Sequence, residues 1–144
     1  MAPHQDGTTT TDELERVFQR WDEALGARDA DTAMTLYAPD ATLESPLVCH
    51  LLGTPEGVVR GRENIRRFVA DHVFPHQPPQ RRRFRAGYLT DGSRLVWEYP
   101  RETPDEDQMD IVEVMEISRG LIQRHRVYWG WYGVGMLQRG EHSR

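Results

Sequence analysis

The apolar residues of this chain change their period once, and that change limits the folds open to it. Leu14, Val17, Phe18, Trp21 and Leu25 recur at helical spacing. In MDIVEVMEI and LIQRHRVYWGW, by contrast, side chains are expected to alternate between two faces, as they do in strands. Helical patterns first and strands afterwards predict an α+β domain, with a sheet packed over helices. Thr10 stands three residues before Glu13, the spacing of a capping box, and opens a helix that should end near Gly26. A shorter helix is expected with Asp31 as its N-cap and Ala33, Leu36 and Tyr37 along one side, stopped by Pro39. Ala41–Glu44 reads as a short strand, and Pro46–Gly61, with its Gly and Pro residues, as a loop or hairpin. A third helix is expected from about Arg62 to Val73, with a stripe of Ile65, Phe68, Val69, His72 and Val73, ended by HQPPQ. Strands follow in RRRFRAGYLT and, beyond a turn at Asp91-Gly92-Ser93, in RLVWEYPR; the acidic loop TPDEDQ then leads to the last pair, joined at Ser118-Arg119-Gly120.

The 144 residues suit one domain over 11–137, with a disordered leader at 1–10 and a flexible tail at 138–144. All 18 basic residues are arginine. Without lysine there is no Schiff-base chemistry, no pyridoxal-phosphate anchor and no phosphate-loop lysine. The lone Cys49 excludes an internal disulfide and a cysteine metal cluster, and it reads as a structural thiol. His72 and His76 have metal-ligand spacing, but Pro75 interrupts their helix and no third ligand is evident, so no metal is expected. No apolar run approaches the roughly 20 residues of a membrane span, and MAPHQDGTTTT lacks the character of a signal peptide. A net charge of −5 argues against nucleic acid, and Arg81-Arg82-Arg83 with Arg85 reads as a solvated strand or an ion-pair cluster. A cytoplasmic bacterial protein is expected.

FQRWDEALGARDADTAMTLYAPDATLESP, GVVRGRENIRRF and VEVMEISRGLIQRHRVYW fall in an order that resembles the nuclear transport factor 2-like superfamily, most of all its SnoaL-like and ketosteroid isomerase-like branch. The likeness runs from about Leu14 to Trp131. It implies a cone of curved, mostly antiparallel sheet wrapped around three N-terminal helices, an apolar pocket within, and often a homodimer through the outer sheet face. On the isomerase pattern, Trp21 stands where a tyrosine is usual, Ser45 where the base precedes a proline, and Glu113 where an acid is found. On the pattern of limonene epoxide hydrolase, the fourth-strand Arg and Asp fall near Tyr99 and Arg101, and the last-strand Asp falls at Val127. Only Glu113 matches.

Strand alternation supplies a second, independent reading. If Glu113 faces inward, so do Met109, Ile111, Met115 and Ile117. A three-residue turn pairing Ile117 with Leu121 then sets His125 directly across from Glu113, with Gln123, Val127 and Trp129 on its face. Trp97, Tyr99 and Arg101 should share that face on the preceding strand, and Phe18, Trp21, Tyr37 and Phe68 supply apolar walls. Glu113 can orient His125 as a general base or acid, with Tyr99 or Arg101 holding a developing oxyanion. Equally, the two can be a mutually satisfied pair that fixes strand register, and Arg101 can lie at the rim, paired with Glu102 or the acidic loop. The tryptophans Trp21, Trp97 and Trp129 can pack the core or hold a ligand. Ser45 reads as a strand end beside Pro46 that could also touch a ligand.

The expected activity is cofactor-independent isomerisation, cyclisation or dehydration of a hydrophobic oxygenated metabolite of polyketide, terpenoid or steroid-like character. His125 is expected as base and Glu113 as its partner, with Met109, Met115 and Val127 beside the ligand. The rival class is a non-catalytic binding protein using the same cone. An epoxide hydrolase or epoxide-opening cyclase would need a further inward carboxylate, with Glu44 the candidate. A homodimer through Val112, Val114 and Tyr128 is also expected.

Overall fold

The computed structural model describes residues 8–76, 87–99 and 110–140, and for His76 and Tyr99 the backbone alone. Helix α1 (Thr11–Ala27) opens with the expected capping box: Thr10 Oγ1 accepts from the Glu13 amide, and Glu13 accepts from the Thr10 amide. Its stripe of Leu14, Val17, Phe18, Trp21 and Leu25 is buried, each large side chain contributing about 1.5–3 kcal/mol. Helix α2 (Ala30–Met34) is shorter than expected and starts two residues earlier, because Asp29, not Asp31, accepts from the Thr32 amide.

Tyr37 is therefore not helical. It begins strand β1 (Tyr37–Glu44), which also takes in Pro39. The proline lies where the pairing of β1 slips register, a place that tolerates a residue without an N–H.

The stretch Pro46–Gly61, expected as loop or hairpin, contains helix α3 (Pro46–Leu52) and strand β2 (Val58–Arg60). Ser45 caps α3 and Pro46 occupies its first turn, where a missing amide costs nothing. Helix α4 (Arg62–Phe68) widens into a π turn over Val69–Val73 and tightens into a 3-10 turn over Phe74–His76, near the expected end. Strands β3 (Leu89–Thr90), β4 (Arg94–Tyr99), β5 (Ile111–Ser118) and β6 (Leu121–Trp129) follow. Helix α5 (Trp131–Arg139), which strand periodicity did not reveal, replaces the expected end of the last strand and takes in 138–139 of the expected tail.

One six-stranded curved, unclosed sheet runs in the order β2-β1-β6-β5-β4-β3. Every pairing is antiparallel except β1 with β6, which is parallel. The concave face carries Leu43, Leu95, Trp97, Met115, Ile117 and Ile122, all buried in one core with the stripe of α1. Among the described residues, no helix is long and apolar enough to cross a membrane.

The β5–β6 hairpin differs from the expected one in two compensating ways. Its turn has two residues, Arg119 and Gly120, both at positive φ (54° and 73°), and pairs Ser118 with Leu121. Farther along, Ile117 pairs with Ile122 but Glu116 pairs with Arg124, so Gln123 is an extra, bulged residue. The shorter turn alone would turn every later side chain to the opposite face, and the bulge turns them back. His125 thus stays inward, but across from Met115 rather than Glu113. Gln123 leaves the inner face and donates to the carbonyls of Ser118 and Leu121 at the turn.

Candidate active site

Among the described residues, three polar or charged side chains are buried: Ser45, Glu113 and His125. The Ser45 hydroxyl accepts from the Leu47 amide at 3.1 Å, which commits it to capping α3. The other two bond each other. Glu113 sits in the row Trp97–Glu113–Val127 across the sheet, and His125 in the adjacent row Leu95–Met115–His125–Leu43. The imidazole reaches diagonally between rows, within side-chain range on one face, and its Nε2 meets Glu113 Oε1. Both side chains are nearly closed to solvent, at 2% and 3% exposure.

The second ring nitrogen is also occupied. His125 Nδ1 lies 2.6 Å from Tyr37 Oη, and Trp21 Nε1–H donates to the same oxygen at 3.1 Å. A continuous buried chain therefore runs Trp21, Tyr37, His125, Glu113, from α1 through β1 and β6 to β5. Burial pushes the Tyr37 hydroxyl well above its ordinary pKa; the Trp21 bond opposes this and the Glu113 charge reinforces it. Tyr37 stays protonated at any ordinary pH.

Sequence reasoning placed Tyr37 on a wall and missed its bond to His125. The one available signal was the break at Pro39, which allows a strand to begin as early as Tyr37.

Aromatic rings enclose the chain. Trp21 meets the His125 ring edge-on at 5.4 Å and Trp97 at 6.1 Å, while Phe18 meets Trp97 at 5.2 Å in a T-shape. Tyr88, which the sequence did not single out, packs on Phe18 at 4.8 Å and donates to Glu15. Met115 is fully buried opposite His125, and Val127 and Trp129 pack against the core from the same strand as His125.

Phe68 lies apart from the pair: its ring faces His72 and lines an outer hollow of about 350 Å³ with Leu52, Val59 and Arg67. Glu44 is exposed and pairs in register with Arg126, whose side chain also faces outward, so the carboxylate needed for epoxide opening is not turned inward. Arg101, Met109 and the side chain of Tyr99 lie outside the described residues; the Tyr99 backbone pairs with Ile111. Among the described residues no group of three His, Cys, Asp or Glu could hold a metal.

Comparison with known proteins places this geometry. A search of curated proteins finds no match. Among solved structures, a SnoaL-like protein of unknown function from Burkholderia thailandensis is similar over 84% of this chain and 97% of its own, with TM-score 0.69 and 17% identity. A Bacillus subtilis protein named provisionally as an isomerase is similar over 89% and 96%, with TM-score 0.64 and 20% identity. A Kribbella flavida protein named provisionally as a ketosteroid isomerase is similar over 83% and 79%, with TM-score 0.58 and 20% identity. These likenesses show the fold. The model of the SnoaL-like domain matches residues 18–125, a span from Phe18 of the aromatic cage to His125 of the buried pair, and on that match the chain belongs to the SnoaL-like family.

Proposed function

We propose that this chain is a cofactor-independent acid–base enzyme acting on a hydrophobic oxygenated metabolite of polyketide, terpenoid or steroid-like character. The observation that carries this reading is the Glu113–His125 pair, a buried acid and imidazole set in an aromatic cage inside a SnoaL-like cone. Buried ionisable pairs of this kind are where acid–base chemistry is tuned, and two similar folds are provisionally named as isomerases.

The bonding supports a reading with the two roles exchanged from those expected from sequence. Both nitrogens of His125 are engaged, whereas among the described residues Glu113 Oε2 has no hydrogen-bond partner. Glu113 is thus the better placed base. Its carboxylate takes a proton from a carbon beside a carbonyl, the C–H electron pair moves into the enolate, and the same proton returns to another carbon or to a leaving oxygen. Isomerisation and dehydration reduce to that exchange; in ring closure the enolate carbon bonds instead to a second carbonyl carbon as that C=O π bond breaks, and the proton goes to the oxygen of that carbonyl. Tyr99 and Arg101 are proposed for the enolate oxygen, and Trp97, Val127 and Trp129 for the apolar body of the substrate.

The near-complete burial of the pair favours one rival, a binding protein whose cone holds a hydrophobic ligand without turning it over. A panel of ketone, enone and epoxide probes tests both. Turnover that falls about 10²-fold or more in Glu113→Gln, with folding retained, supports the enzyme. Tight binding with no turnover of any probe supports the rival.

The same reading takes the protein as a homodimer through the convex face, where Tyr128 is 52% exposed beside half-buried Val112 and Val114. A single monomeric mass by native mass spectrometry at micromolar concentration removes that part.

A further inference from the structure

Tyr37 Oη stands between two groups whose hydrogen-bonding capacities differ. Indole Nε1 of Trp21 can only donate, so one lone pair of Oη is taken. If His125 Nδ1 also carried a proton, Oη would accept twice and the Tyr37 O–H would point into a site where the residue is 1% exposed, with no acceptor among the described residues. A buried hydroxyl stripped of its acceptor is costly. The satisfied arrangement has one direction throughout: Trp21 N–H donates to Tyr37, Tyr37 O–H donates to Nδ1, and Nε2–H donates to Glu113.

We propose that Trp21 and Tyr37 are positioning residues that hold His125 neutral with its single proton on Nε2, leaving Glu113 as the group that takes a proton from a bound molecule. An imidazolium beside Glu113 would stabilise its anion strongly and make it a poor base; a neutral N–H steadies the carboxylate while leaving it basic. The groups that face the ring are few. Among the described residues β5 presents Glu113 and β1 presents Tyr37, while α1 presents Trp21 and β4 presents Leu95 and Trp97, none of which titrates. Arg124 and Arg126 of β6 itself lie to either side of His125 in the strand, facing outward.

The catalytic meaning of this arrangement rests on the proposed function, but the proton position does not, and it can be read without substrate. Ring ¹⁵N spectra of the full chain are expected to show His125 with bare Nδ1 and protonated Nε2 at neutral pH. In Tyr37→Phe Nδ1 loses the O–H it accepts from, and its ¹⁵N resonance should move toward that of a bare, unbonded imidazole nitrogen while Nε2 stays protonated. Trp21→Phe, which keeps the phenol but removes the N–H that polarises it, should move the Nδ1 resonance in the same direction by less. A wild-type ring protonated on both nitrogens, or on Nδ1 alone, overturns the proposal whether or not either variant folds. So does an unchanged Nδ1 resonance in a folded Tyr37→Phe. A chain that turns over no probe yet shows the bare Nδ1 sinks the enzyme reading alone; an active enzyme with an imidazolium sinks the positioning role alone.

Discussion

Strands β5 and β6 carry two acid–base pairs, one on each face of the same hairpin. Inside, Glu113 meets His125 at 3% and 2% exposure; outside, Glu116 meets Arg126 at 36% and 24%. Strands and diagonal geometry are matched, so the contrast is one of burial together with a permanently charged guanidinium against an imidazole. On the outer face water screens both charges, and such pairs contribute about 0–1 kcal/mol. On the inner face each group has its protein partner and almost no water, so removing one strands the other.

The largest effect should follow from breaking the inner pair. His125→Leu keeps an apolar body in place but leaves Glu113 without a donor, and should lower unfolding stability by about 3–5 kcal/mol in urea titration. A loss under about 1 kcal/mol would mean that the carboxylate finds water, and the two faces would no longer differ in kind. An intermediate case lies at the far end of the hairpin, where Asp110 Oδ1 accepts from the Gly133 amide at 3.0 Å and caps α5. Asp110→Ala should cost about 1 kcal/mol, the usual scale for a lost helix cap. Glu116→Gln should cost less still and lose its effect in high salt, because it acts only on the screened face.

The smallest effect is expected at the β3–β4 turn. There Asp91 is held below its ordinary pKa, first by the Arg94 side chain and then by the Ser93 and Arg94 amides. A folded pKa lower than the unfolded one adds stability above the unfolded value, which fades as pH falls through the folded one. The wild type should therefore lose a small increment of thermal midpoint in strong acid that Asp91→Asn does not. Equal acid sensitivity in both would remove the assignment.

How much of this could be read from the sequence depended on how local each signal was. The capping box and stripe of α1 involve residues three and four apart, and both stand where expected. The inward facing of Glu113 and His125 was also legible, although the reason was incomplete: a turn one residue shorter and a bulge at Gln123 offset each other in parity while moving the partner by two residues. Nothing in LIQRHRVYW marks that bulge. Helix α3 was hidden by the reading of Ser45 and Pro46 as a strand end, when the same two residues make an N-cap and first turn. The bond between Tyr37 and His125 depends on the parallel pairing of β1 with β6, which no local pattern encodes.

That parallel pairing also has a consequence in time. Tyr37 and His125 are 88 residues apart, and the strands they occupy are neighbours in the sheet. During synthesis α1, α2 and β1 leave the ribosome long before β6, so the N-terminal segment emerges with its parallel partner strand not yet made. Closing so long a loop is entropically slow, and contacts of this range delay folding. Nε2 of His125 can meet Glu113 within the β5–β6 hairpin, 12 residues away, but Nδ1 gains Tyr37 only when β1 docks on that hairpin, so the full buried chain of hydrogen bonds closes late in folding.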